Sequence, residues 1–152
     1  MLPSRKSPSA VQLKILVVDD NANGLAARKS VLEEVGHKIT TAKCGVEAIT
    51  VFSEHKFDLL VTDYKMPRMN GLELIEKVRA VRPEIPIILI SGFADTLGLD
   101  EESTGADAVI QKSSNEVSHL LRAVNRLMRA KTSPRKPATA QAAANRAKRK
   151  SG

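Results

Sequence analysis

The sequence has one cysteine, Cys44, no tryptophan, one tyrosine and three phenylalanines. A single cysteine excludes an internal disulfide framework and a cysteine-cluster zinc site. It also favours a reducing compartment, so we expect a cytoplasmic protein. Apolar runs are short, and the run at residues 87–90 is far below the ~20 residues of a membrane-spanning helix. We therefore expect no membrane span and a core built from aliphatic side chains.

Acidic residues are absent from the last 22 positions, residues 131–152. This segment holds seven basic residues, which accounts for the whole net charge of +7 because the other 130 residues carry 17 charges of each sign. The neutral body does not offer a basic surface for nucleic acid. We expect the tail to be disordered and to associate with nucleic acid or another polyanion only weakly and without sequence preference.

The composition divides the chain into three parts. Residues 1–11 are rich in proline and serine and lack periodicity, which is typical of a flexible arm. Residues 12–130 carry the periodic hydrophobic pattern of one folded domain. Residues 131–152 form the basic tail.

Within the middle part, short apolar strand patterns alternate with helical patterns. We predict five strands, at residues 13–18, 37–42, 57–63, 87–91 and 107–111. Helical spacing follows each strand, at residues 21–35, 46–54, 72–82, 95–104 (a weak pattern) and 117–128. The apolar positions of this spacing, which we expect to face the core, include Val35, Val46, Val81 and Val117. This alternation predicts an α/β fold with a parallel sheet covered on both faces.

Polar residues stand where four of these strands end. Asp19 and Asp20 follow the first strand, Asp63 ends the third, Ser91 ends the fourth and Lys112 follows the fifth. Since the carboxyl ends of parallel strands share one edge of the sheet, we expect these side chains to lie together. The alternative is a purely structural role, in which the aspartate pair caps the first helix.

The expected cluster has a definite chemistry. Three carboxylates repel one another and require a cation, and hard oxygen ligands suit Mg²⁺ better than zinc. A serine hydroxyl and a lysine ammonium beside them suit a dianionic phosphoryl group. A carboxylate in such surroundings is able to act as a nucleophile towards phosphorus. The residues thus predict a phosphoryl-accepting aspartate.

Four segments carry a family resemblance: LKILVVDD (13–20), LLVTDYKMPRMNGLELI (59–75), ILISG (88–92) and GADAVIQK (105–112). In order and spacing they resemble the receiver domain of bacterial two-component response regulators. The resemblance implies a flavodoxin-like, five-stranded parallel sheet of order 2-1-3-4-5 with five helices on two faces.

By this resemblance Asp63 is the phosphoacceptor. Mg²⁺ would be held by Asp19, Asp20, Asp63 and the backbone carbonyl of Lys65. The phosphoryl donor would be a phosphohistidine on a sensor histidine kinase or a phosphotransfer protein, and the output would be a phosphorylation-dependent contact with a protein target. The chain would act as a phosphoacceptor, not as an enzyme on a separate substrate.

The resemblance assigns phosphoryl binding and switching to Ser91 and Lys112. Receivers usually carry an aromatic residue three positions before this lysine and a proline directly after it. Here these positions are Val109 and Ser113. We therefore expect all the residues needed for phosphorylation to be present. We also expect the conformational signal to be transmitted without rotation of an aromatic side chain.

Three function classes compete. The leading hypothesis is a stand-alone receiver, since no output domain follows within the sequence. An aspartate-based phosphatase of the haloacid dehalogenase type needs a second aspartate two residues after the nucleophile, where this chain has Lys65. The remaining alternative is a phosphorylation-independent binding module whose basic tail associates with polyanions.

Overall fold

The computed structural model describes residues 12–92 and 97–132. Its strands are β1 (Lys14–Val18), β2 (Lys38–Ala42), β3 (Leu59–Asp63), β4 (Ile87–Ser91) and β5 (Ala108–Gln111). Its helices are α1 (Ala22–Glu34), α2 (Gly45–Glu54), α3 (Gly71–Val81), the single turn α4 (Glu101–Thr104) and α5 (Glu116–Thr132). The predicted arm at 1–11, most of the predicted tail and part of the weak fourth helical pattern lie outside the described residues. The last helix continues to Thr132, two residues past the predicted domain boundary.

The five strands form one parallel sheet in the order β2-β1-β3-β4-β5, as predicted. Val18 at the end of β1 is in register with Thr62 of β3, and Asp63 is in register with Ile90 of β4. Ser91 at the end of β4 is in register with Gln111 of β5. This pairing aligns the carboxyl ends of β1, β3, β4 and β5 along one edge of the sheet.

Alternate strand residues supply two cores, one on each face of the sheet. In β1, Leu16 packs with the apolar sides of α2 and α3, whereas Ile15 packs with those of α1 and α5. The central strands β1, β3 and β4 are almost wholly buried because helices cover both faces of the sheet, which explains their continuous apolar sequences. The edge strand β2 is only partly buried. Among the described helices, none combines the length and the apolar character needed to cross a membrane.

Four valines that the helical spacing assigned to the core are exposed instead. They are Val35, Val46, Val81 and Val117, with relative exposures of 43% to 68%. Each lies in the first or last turn of a helix or directly after it. The core sides of these helices are formed by residues nearer their middles, such as Leu32 and Leu120.

The first turn of α3 is packed directly behind the end of β3. Asn70 caps this helix through a capping box with Glu73, and the backbone N–H of Gly71 donates to the carbonyl of Tyr64 at 2.7 Å. A Cβ at Gly71 would lie 2.5 Å from the backbone oxygen of Asp63 and 2.9 Å from Cδ1 of Leu89. Only glycine permits this close approach of helix and strand.

We therefore predict that Gly71→Ala destabilises the fold, although alanine is the better helix former. The displaced backbone should lower the free energy of unfolding by about 1–3 kcal/mol, as overpacking does elsewhere. Urea denaturation measures this. Gly92→Ala is the matched control, because the nearest atom to a Cβ there is Cδ of Lys112 at 3.9 Å. Equal stability of the two variants would contradict the steric argument.

Candidate functional site

The aligned strand ends form the floor of an open cleft of about 640 Å³. Its lining comes from the segments after β1, β3, β4 and β5, namely Asp19, Asp20, Asn21, Asp63, Lys65, Met66, Pro67, Gly92 and Lys112. The topology thus brings together residues up to 93 positions apart in the sequence, from position 19 to position 112. This cleft is the candidate site.

Asp19, Asp20 and Asp63 each present a carboxylate oxygen, and the three oxygens lie within 4.8 Å of one another. Asp19 and Asp63 are buried, whereas Asp20 is exposed at the mouth of the cleft. Three converging carboxylates, one of them open to solvent, fit a hydrated Mg²⁺ ion.

Asp63 and Lys112 are in direct electrostatic contact. Nζ of Lys112 lies 2.8 Å from Oδ1 of Asp63, and the lysine side chain is 38% exposed while the aspartate is 4% exposed. Burial raises the pKa of the Asp63 carboxyl above its ordinary value, and the negative charge of Asp19 acts in the same direction. Lys112 and Arg28 oppose the increase. Keeping Asp63 ionised in the folded chain therefore costs free energy.

Of the two remaining predicted residues, Lys65 and Ser91, only Lys65 lines the cleft. Lys65 is exposed and lines it directly. Ser91 is buried at the end of β4 and is not among the lining residues of the cleft. Its backbone carbonyl accepts the backbone N–H of Lys112 at 2.9 Å, which ties the ends of β4 and β5 together.

Asp19 has a partner that the sequence pattern did not reveal. Nη1 of Arg28, in α1, donates to Oδ2 of Asp19 at 2.6 Å, and both side chains are buried. The other oxygen, Oδ1, accepts the backbone N–H of Asn21 at 2.9 Å. The cap of α1 is Asn21, whose side chain accepts from the backbone N–H of Gly24. The aspartate pair is therefore not the helix cap that we kept as an alternative.

The sequence did contain a signal for Arg28. It lies three residues after Leu25 and four before Leu32, so it shares the buried side of α1 with both. A charged residue within a buried stripe requires a charged partner, because an isolated buried charge is strongly unfavourable. That partner was identifiable only from the three-dimensional arrangement.

Residues 15–125 match the family model described as the response regulator receiver domain. The "Gliding motility regulatory protein" of Myxococcus xanthus is 31% identical over 131 residues, which cover 82% of this chain and 16% of that protein. A "Chemotaxis protein CheY homolog" of Campylobacter jejuni is 40% identical over 83 residues, or 52% of this chain and 64% of that protein. The chain thus spans less than two thirds of the length of these relatives.

A solved structure of a response regulator is also similar to this chain. The response regulator protein TrrA from Thermotoga maritima, determined in complex with Mg(2+)-BeF, is 34% identical with a TM-score of 0.69. The similarity covers 77% of this chain and 99% of that one.

We predict that Asp63→Asn stabilises the fold in Mg²⁺-free buffer at neutral pH. Because the pKa of Asp63 is raised in the folded chain, its contribution to stability falls as pH rises from the unfolded pKa through the folded one. The neutral amide avoids this loss, and Lys112 is exposed enough to be solvated without its partner. Differential scanning calorimetry should show a Tm higher by a few degrees at pH 7.

The gain in Tm should shrink as pH falls and the wild-type carboxyl takes up its proton. Glu54→Gln, which neutralises an exposed carboxylate at the end of α2, is the control and should leave Tm nearly unchanged. A lower Tm for Asp63→Asn at pH 7 would contradict the prediction.

Proposed function

Because this chain belongs to the response regulator receiver domain family of two-component signalling proteins, we propose that it accepts a phosphoryl group on Asp63 from a phosphohistidine donor. The observation that carries the proposal is the placement of Asp63. It is buried at the end of β3, within 4.8 Å of two further carboxylates and 2.8 Å from the Lys112 ammonium. The raised pKa of Asp63 marks a carboxylate whose charge is poorly solvated, which favours reaction with an electrophile.

The reaction is an in-line transfer. A carboxylate oxygen of Asp63 forms a bond to phosphorus while the P–N bond of the donor phosphohistidine breaks, and the electron pair of that bond returns to the donor imidazole. The product is an acyl phosphate on Asp63. Lys112 then exchanges its contact with the carboxylate for a contact with a phosphoryl oxygen. The electrostatic attraction is stronger there, because the phosphoryl group carries more negative charge.

The reaction is proposed to depend on Mg²⁺, which would be held by Asp19, Asp20, Asp63 and the backbone carbonyl of Lys65. When bound, the ion neutralises charge that develops on the phosphoryl oxygens. The three converging carboxylates support this assignment. The proposed role of Ser91 is to bind a phosphoryl oxygen through its hydroxyl.

The output is proposed to be a phosphorylation-dependent contact with a protein target, and the donor a sensor histidine kinase or phosphotransfer protein. Val109, in β5, is half-buried against the core shared with α2 and α3. A valine has no ring to rotate, and its χ1 is stiff. The conformational signal should therefore be transmitted by movement of the backbone and of the loop near β4. A stand-alone organisation, a cytoplasmic location and the absence of separate enzymatic activity stay predictions.

We predict that incubation with acetyl phosphate and Mg²⁺ adds one phosphoryl group per chain. Intact mass spectrometry should show a single addition in the wild type and none in Asp63→Asn. Asp20→Asn should retain the acceptor but require more Mg²⁺, because it loses one carboxylate ligand. Lys112→Met should retain Mg²⁺ binding and react more slowly.

Asp107→Asn is the matched control, because this aspartate lies before β5 and is paired with Arg79 at the other end of the sheet. It should be phosphorylated like the wild type. Full phosphorylation of Asp63→Asn would show that another residue is the acceptor.

A further inference from the structure

A buried arginine connects the three-aspartate site to α5. The Arg28 side chain is 5% exposed and spans two acids that come from different parts of the chain. Nη1 contacts Oδ2 of Asp19 at 2.6 Å, and Nε contacts Oε2 of Glu116 at 2.8 Å. Glu116 is the first residue of α5 and comes four residues after Lys112. None of the roles proposed above uses either Arg28 or Glu116.

The position of Asp19 does not depend on Arg28 alone. Oδ1 of Asp19 is fixed by the backbone N–H of Asn21, and Oδ2 lies against the first turn of α1, where a Cβ on Gly24 would be only 2.6 Å away. We therefore expect the carboxylate to keep its orientation when Arg28 is replaced. What Arg28 adds is a buried positive charge next to a carboxylate that a cation would also use.

Electrostatics gives the direction of the effect. A guanidinium in contact with Asp19 lowers the negative potential at the three carboxylates, and little solvent is available to screen it. Glu116 on the far side of the guanidinium offsets part of that charge. The arginine therefore opposes the binding of a divalent cation, and the glutamate weakens this opposition.

We propose that the charge of Arg28, acting through Asp19, sets the Mg²⁺ affinity of the three-aspartate site, and that the contact of Arg28 with Glu116 couples this affinity to the position of α5. The proposal rests on the proposed function, since it concerns the same metal site. It assigns a regulatory consequence to α5: a partner that draws the first turn of α5 away from Arg28 lowers the affinity of the site for Mg²⁺. Conversely, Mg²⁺ binding strengthens the Arg28–Glu116 contact.

The test is a Mg²⁺ titration of the full chain at constant ionic strength and pH 8, followed by amide NMR shifts of Gly92 and other residues that line the cleft. Arg28→Met should bind Mg²⁺ roughly tenfold more tightly, because a neighbouring positive charge is removed. Glu116→Gln should bind roughly two- to threefold more weakly, because the charge of Arg28 is no longer offset. Opposite signs for two residues in contact are not expected from a purely structural role.

The exposed pair Lys29–Glu33 on the same helix supplies matched controls. Its atoms Nζ and Oε2 are 3.1 Å apart, and both side chains are 45% exposed. Lys29→Met and Glu33→Gln change the net charge identically, but solvent screens them, so each should alter the Mg²⁺ affinity by less than roughly twofold.

Different outcomes of the titration test the role of Arg28 and the metal requirement separately. Unchanged or weaker Mg²⁺ binding by Arg28→Met, or unchanged or tighter binding by Glu116→Gln, overturns the inference. If Arg28→Met does not fold, the comparison of Glu116→Gln with Glu33→Gln decides it alone. A wild type that shows no Mg²⁺-dependent shifts contradicts the proposed metal requirement itself, whereas a wild type that binds while the variants match their controls contradicts only the role of Arg28.

Discussion

Electrostatic repulsion among three carboxylates is the constraint on which the rest of the site depends. Asp19, Asp20 and Asp63 bring their oxygens within 4.8 Å of one another at the edge of the sheet. Two of the three are buried, where repulsion is strongest. The folded chain tolerates this arrangement through two cations, Lys112 against Asp63 and Arg28 against Asp19. The site is therefore poised to bind further positive charge, such as a divalent cation.

The fold supplies the energy that holds these charges together. Aliphatic cores on both faces of the sheet fix the strands, and the parallel register fixes where each strand ends. Close packing of Gly71 behind Asp63 leaves the end of β3 little freedom to relax. Stability elsewhere in the domain thus maintains a locally unfavourable cluster, a common arrangement at functional sites. The raised pKa of Asp63 is the physical sign of that cost.

The sequence predicted the sheet and the edge of the site because both depend on simple periodicities. Buried parallel strands have continuous apolar sequences, and a polar residue directly after such a strand lies at a known edge. Helix ends were predicted less well: Val81 and Val117 fit the apolar spacing but are exposed. Arg28 was missed for another reason. Its two partners lie 9 and 88 positions away, and such pairing is not encoded in local spacing.

The central claim is that Asp63 alone becomes an acyl phosphate, and its chemistry permits a direct test. Borohydride reduces an aspartyl phosphate to homoserine and leaves free carboxylates intact. The chain should be phosphorylated by a histidine kinase or acetyl phosphate with Mg²⁺, reduced, digested and mapped by peptide mass spectrometry. The account predicts homoserine at position 63 and at no other position. Homoserine at position 19 or 20, or at none of the three, would contradict it.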